Sequence, residues 1–173
     1  MRGNWLVVLL PLAVMAGLFA AGYFTLGGGD GMTNAQLQDN MQIDVADSSV
    51  SWQWGAFPED GVAGPDIVEF VTSDEVDVSA ELTQAGEVIA SEDGVVETED
   101  GTAVWFQTFE EEGRTTGASG TAFFEGSGVE SVRYYHTWAN IDMELMESSS
   151  VEQVLSDRLP GQYWMVEMPL GEQ

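Results

Sequence analysis

Thirty Asp and Glu side chains, one histidine, four arginines, no lysine and no cysteine bound the chemistry this chain could perform. Without cysteine there are no disulfides, thiolate zinc sites or iron–sulfur clusters. A single histidine cannot build a His-pair metalloprotease motif. What is left is carboxylate chemistry and His136. Paired carboxylates serve glycoside hydrolysis, one as acid and one as base or nucleophile. Glu125, beside Phe123 and Phe124, and Glu144, between Met143 and Met146, have the apolar neighbours that could raise a carboxyl pKa by burial. The simpler expectation is that both point outward from strands. With thirty acids, sequence proximity selects no pair.

His136 lies in Arg133-Tyr134-Tyr135-His136-Thr137-Trp138. Period-two alternation puts Tyr134, His136 and Trp138 on one strand face and Arg133, Tyr135 and Thr137 on the other. No Gly-x-Ser-x-Gly elbow accompanies it, so the sequence does not support a nucleophilic triad. A satisfied polar residue in an aromatic patch is the expected role. Catalytic and cofactor-binding residues are therefore expected to be absent. Oxygen ligands are abundant, which leaves weak calcium binding open near Asp93 and Asp100, although no DxDxDG loop is present. The formal net charge of −26 leaves almost no cations to replace phosphate counterions, which excludes a nucleic-acid partner.

The aromatic residues suggest a contact surface. Trp52 and Trp54 share a face. Trp105-Phe106 and Tyr163-Trp164 are adjacent pairs, so each pair points to both sides of its strand. One member of each must then meet a second packing layer or a partner protein. Trp52, Trp54, Trp105, Tyr135, Trp138 and Trp164 are the candidates for that partner surface.

The elements that must position these residues begin with an anchor. Trp5 to Leu26 carries no charged side chain. Its 22 residues would span about 33 Å as a helix, enough for a hydrocarbon core of about 30 Å. Leu6 and Phe19 are among its apolar residues, and Pro11 within it is tolerated in membrane helices. Trp5 and Tyr23 stand near its ends as interfacial aromatics do, and Gly17 would let another helix approach. A cleaved signal peptide ending near Ala20-Ala21-Gly22 is the alternative; the apolar run continues past that point, so an uncleaved anchor over residues 1–26 is expected. Arg2 precedes the run and the first acid is Asp30, which places the N-terminus in the cytoplasm or interior and the remainder outside or in the periplasm.

Residues 27–48 read as a Gly-rich linker, from Gly27-Gly28-Gly29-Asp30-Gly31, plus a short irregular or helical segment capped by Thr33 or Asn34. Residues 49–173 read as an acidic β-rich domain. Alternating or apolar runs predict strands at 50–54, 67–72, 75–82, 87–90, 95–98, 102–109, 121–125, 131–138, 141–146 and 162–168. Asp93-Gly94 and Asp100-Gly101 predict two hairpin turns and a three-stranded meander over 86–109. Ser149 and Glu152 match a capping box for one short helix ended by Pro160-Gly161. The fold class is therefore a single transmembrane helix followed by an antiparallel β-sandwich or partly open barrel with one short C-terminal helix.

High acid content without lysine suits concentrated salt, where screening removes the self-repulsion of a compact anion. The functional expectation is a structural or accessory single-pass subunit of a larger assembly from a halophilic source. That assembly would be a virion, a cell envelope or an energy-transducing membrane complex. The lipid bilayer and neighbouring subunits are its partners. The alternatives are an anchored binding module for carbohydrate or calcium, and an anchored carboxylate hydrolase.

Overall fold

Two antiparallel sheets lie face to face, because most strands carry apolar residues at every second position or on both faces. This architecture comes from a computed structural model that describes residues 32–92, 94–112 and 114–170. The expected anchor, with Trp5, Leu6, Pro11, Gly17, Phe19, Tyr23 and Leu26, lies outside the described residues. Among the described residues, no helix is long and apolar enough to cross a membrane.

The described chain opens with a one-turn helix α1 (Asn34–Leu37). The strands follow as β1 (Met41–Ala46), β2 (Ser49–Trp54), β3 (Ala63–Val71), β4 (Asp77–Gln84), β5 (Glu87–Glu92) and β6 (Val95–Glu97). Then come β7 (Gly101–Glu111), β8 (Arg114–Thr116), β9 (Ser119–Glu125), β10 (Ser131–Thr137), helix α2 (Val151–Arg158) and β11 (Tyr163–Pro169). One sheet has the order β1-β2-β9-β4-β5; the other has β11-β10-β3-β7-β6, with β8 paired to β7.

The core has two layers. Between the sheets pack Val50, Trp52, Trp54, Val68, Phe70, Phe106, Phe124, Tyr134 and Trp164. Trp52 stacks on Phe106 at 4.9 Å between centroids, and its indole N–H donates to the Gly117 carbonyl at 2.8 Å. On the outer face of the second sheet, Ile67, Ala103 and Tyr135 meet Met146, Val151, Leu155 and Leu159 from the α2 region. The central strands β3 and β10 are therefore covered on both faces, and each adjacent aromatic pair has one ring buried and one half-buried. Phe106 and Trp164 face the sandwich, while Trp105 and Tyr163 pack under the helical layer.

Several expectations need correction. The compact unit begins at Met32, not at residue 49. Residues 41–46, assigned to the linker, form β1 and pair with β2 from Met41 opposite Trp54 to Ala46 opposite Ser49. The three-stranded meander is also not formed. β5 pairs with β4 in one sheet and β6 pairs with β7 in the other. A tight turn with Ala85 and Gly86 at positive φ commits β5 to β4, so of the two expected Asp-Gly hairpins only the one at Asp100-Gly101 joins strands of one sheet.

Residues 143–146 form a single 3₁₀ turn where a strand was expected. Asp142 caps that turn by accepting from the Glu144 N–H at 3.1 Å, and Met146 tucks fully under the sheet. The capping box on Ser149 does not form either. The Ser149 backbone is bonded to Met146 and Glu99, so α2 starts one residue later behind Ser150.

Candidate functional site

β3 carries Asp66 and Glu69 in the run Asp66-Ile67-Val68-Glu69-Phe70, and both acids are fully buried. An odd spacing on a strand sends them to opposite faces. Each becomes the centre of a polar cluster, one inside the sandwich and one on the helical side. A buried carboxylate is tolerated only when paired and hydrogen-bonded, and β10 supplies the partners for both.

Inside the sandwich, Asp66 Oδ2 accepts from the Tyr134 hydroxyl at 2.6 Å. Asp66 Oδ1 faces His136 Nδ1 at 2.8 Å and accepts from the Thr137 backbone N–H at 3.3 Å. The cluster sits where the β3–β10 ladder gives way. Pairing runs as far as Tyr135 opposite Ile67; beyond it, Pro65 has no N–H to offer. There the Asp66 side chain and the Pro65 carbonyl take the Thr137 donors instead, the hydroxyl bond measuring 2.7 Å.

The other ring nitrogen of His136, Nε2, faces Asn34 Oδ1 at 2.9 Å. Asn34 is held from three further directions. Its side-chain amide donates to Asp60 Oδ1 at 2.8 Å and to the Gly61 carbonyl at 2.7 Å, and its own carbonyl accepts from the Trp164 indole at 2.9 Å. Three indoles surround the imidazole, with centroids at 5.0 Å for Trp54, 5.2 Å for Trp164 and 5.8 Å for Trp138. The Trp54 indole N–H is buried without an acceptor in hydrogen-bond geometry.

On the helical side, Glu69 Oε1 accepts from the Thr98 hydroxyl at 2.7 Å and Oε2 from the Tyr135 hydroxyl at 2.9 Å. Arg133 brings the compensating charge. Its guanidinium reaches Asp100 at 2.7 Å, Glu167 at 3.3 Å and Glu69 at 3.4 Å. One cation thus joins β3, the β6–β7 turn and β11.

The electrostatics follow from these contacts. Burial, then the charge and hydrogen bond of Asp66, push the Tyr134 phenol well above its ordinary range, with the Trp54 indole opposing. Burial, then Glu69, raise Tyr135 in the same way against Arg133. For Arg133, burial pulls its pKa down, but the bond to Asp100 and the charges of Glu69 and Glu167 act the other way and its pKa is raised, so the guanidinium holds its proton more firmly. Glu167 is held below the usual carboxylate range by the Ser131 hydroxyl and by Arg133, against a smaller effect of burial.

Chemically, Asp66–His136 has the geometry of a base–orienter pair, yet the far nitrogen meets a carboxamide oxygen instead of a nucleophile. Open grooves lie elsewhere. One of about 370 Å³ borders α2, with Glu99, Gln153 and Arg158 in its wall. One of about 660 Å³ runs between the β3–β4 connection and β6, with Asp74, Asp77, Glu97 and Thr98. One of about 450 Å³ holds Phe57, Gln84, Glu110 and Arg114. None of the three is lined by Asp66, Glu69 or His136.

The residues singled out in the sequence separate clearly. Trp52, Trp54, Tyr135 and Trp164 are core residues, so the partner surface expected of them is not presented by these four rings. Trp105 and Trp138 are half-buried. The reason is the second packing layer, which receives the rings that would otherwise face solvent. Glu125 and Glu144 point outward. Of the two calcium candidates, Asp93 lies outside the described residues and Asp100 bonds Arg133; among the described residues no group of three or more His, Asp or Glu side chains is arranged to hold a metal ion. Sequence reasoning missed Asp66, Glu69 and Asn34. The available signal was two acids inside an otherwise apolar strand. Comparison with protein-family models, curated proteins and solved structures finds no match to this chain.

Proposed function

We propose that this protein is a structural or accessory subunit of a larger membrane assembly, held by its N-terminal apolar segment and acting through protein contacts. The observation that carries this reading is His136. The one imidazole in the chain is fully buried, both its nitrogens are bonded to side chains, and those side chains are themselves held in place. The groups best suited to acid–base chemistry therefore serve to fix the fold.

The surface supports the same reading. Phe57 is 58% exposed, and Val88, Ile89, Val95 and Phe109 are also exposed. Such residues suit a neighbouring subunit when they lie on so acidic a domain. The acid-rich, lysine-free composition suits a salt-rich setting, as in a virion, envelope or energy-transducing complex of a halophile. In this proposal the N-terminus faces the interior and the β-domain faces outward.

A photo-reactive residue placed at Phe57 in the full chain, in its native membrane, tests the idea. Cross-linking to one defined subunit and co-migration after gentle solubilisation are expected. Recovery of the chain as a free monomer would overturn the proposal. Strong thermal stabilisation by a glycan or a divalent cation would replace it with a ligand-binding module.

A further inference from the structure

We infer that His136 is a buried imidazolium, and that its second ring proton is a clasp fastening α1, the first element of the domain, to the sheet behind it. The argument is one of donors and acceptors. The Asn34 amide nitrogen faces two acceptors, Asp60 Oδ1 at 2.8 Å and the Gly61 carbonyl at 2.7 Å. Flipping the amide would put its oxygen against both, so the oxygen must be the atom facing His136 Nε2. Nε2 therefore donates. Nδ1 faces Asp66 Oδ1, on a carboxylate that already accepts from the Tyr134 hydroxyl and the Thr137 N–H. Two donors already hold that carboxylate, and a proton shared between a carboxylate and an imidazole rests on the imidazole nitrogen, the stronger base. Nδ1 therefore donates as well, and a ring that donates from both nitrogens is a cation.

The surroundings agree from every side. Asp66 on β3 is the charged group in direct contact, and Asp60, before β3, stands behind Asn34. Tyr134, on the same strand, is bonded to Asp66 and kept neutral by it. The remaining neighbours are the indoles of Trp54 on β2, Trp138 after β10 and Trp164 on β11, all within 6 Å, the distance at which aromatic rings attract cations. Both charged neighbours are anions.

Losing the second proton has a directional consequence. The remaining proton stays on the bond to Asp66, the charged acceptor. Nε2 then presents a lone pair to Asn34 Oδ1 at 2.9 Å, and that contact becomes repulsive. Asn34 gives α1 its polar hold on the sheet, by its side chain to His136 and by its carbonyl to Trp164, beside the buried Leu37. Deprotonation thus loosens the segment that directly follows the N-terminal 31 residues, while the strands keep their ladders.

The test uses the full chain in detergent micelles, labelled with ¹⁵N-histidine. Long-range ¹H–¹⁵N correlation at neutral pH is expected to show both ring nitrogens protonated. One unprotonated nitrogen in the folded protein would overturn the inference without any variant. Amide exchange supplies the second measurement. In Asn34→Ala, which removes the acceptor of the second ring proton, protection of residues 35–37 should fall about tenfold or more, as for loss of one hydrogen bond to a charged group. Amides of β3 and β10 should keep theirs. Loss of protection in α1 and β10 together would overturn the clasp by showing that the contact holds the sheet.

Discussion

Replacing Asp66 by Asn should be among the most damaging single changes in the domain, out of proportion to its size. The carboxylate receives three donors, from Tyr134, His136 and Thr137, at 2.6 to 3.3 Å, and it has no solvent exposure. An asparagine presents one oxygen and one NH₂ group. With NH₂ in the place of Oδ2 the Tyr134 hydroxyl must turn from donor to acceptor, and the buried imidazolium loses its counter-charge. Breaking one half of a buried ion pair costs about 3–5 kcal/mol. For a domain of this size each kcal/mol moves Tm by about 3–4 °C, so a fall of roughly 10–20 °C is expected. A domain with a total stability of about 5–15 kcal/mol can survive that change and still be measured. Thermal melts followed by circular dichroism at fixed salt would read it. The paired variant Asp66→Leu with His136→Leu sharpens the test. Removing both charges should cost less than the sum of the two single leucine changes by about 2 kcal/mol or more. Additive effects, or an Asp66→Asn cost below about 1 kcal/mol, would refute the claim that the two residues form a compensated charge pair.

Four other outcomes follow. Tyr134 and Tyr135 are held neutral, so their raised pKa values contribute stability that is complete below the unfolded value of about 10 and is lost as pH rises beyond it. Phenolate absorbance should therefore lag behind free tyrosine and rise together with unfolding; ionisation of all tyrosines near pH 10 in a folded chain would contradict this. Glu167 acts at the other end: its lowered pKa gives stability present above the unfolded carboxylate value and lost as pH falls through the folded one, which an acid titration of wild type against Glu167→Gln would show. A Cβ at Gly120 would stand 2.5 Å from Trp52 Cζ2 and 2.7 Å from the Glu81 carbonyl oxygen, so Gly120→Ala should cost about 1–3 kcal/mol in urea unfolding, whereas an unchanged midpoint would mean that Trp52 moves freely. Raising salt from 0.15 M to 1 M shortens the screening length from about 8 Å to about 3 Å, so Tm should rise with NaCl, and a flat response would count against self-repulsion as the main destabilising force.

Legibility from the sequence depended on period. Strands with clean alternation, such as Val50-Ser51-Trp52-Gln53-Trp54, were readable within a residue or so because one face is buried and the other is not. The two-sided rings at Trp105-Phe106 and Tyr163-Trp164 also announced a second packing layer. Strand β1 was not readable. Met41-Gln42-Ile43-Asp44-Val45-Ala46 is an edge strand, mostly exposed, whose place comes from pairing with β2. Nor was the split of the expected meander between two sheets, because an Asp-Gly turn and an Asp-Gly crossover look alike until the partner strands are known. The polar centre was the least legible. Asp66 and His136 are 70 residues apart, and Asn34 is 102 from His136. No local pattern encodes contacts at that range. His136 was visible as a polar residue among aromatics, but its partners were not.

The placement of charge in the folded chain explains why so acidic a sequence folds at all. Two carboxylates, Asp66 and Glu69, lie on opposite faces of the same central strand, and each is compensated by a cation from β10: His136 on the sandwich side and Arg133 on the helical side. Arg133 is one of only three arginines among the described residues, and His136 is the single histidine. Two of these cations therefore meet the two buried carboxylates, where an unpaired carboxylate would cost several kcal/mol, while Arg114 and Arg158 are exposed. Most of the remaining acids are left to the surface, where ions from solution can screen them. The division makes a specific demand on β10. Its alternation must deliver a cation to each face while Tyr134 and Tyr135 deliver a hydroxyl to each, and Arg133-Tyr134-Tyr135-His136 is the shortest run that does both.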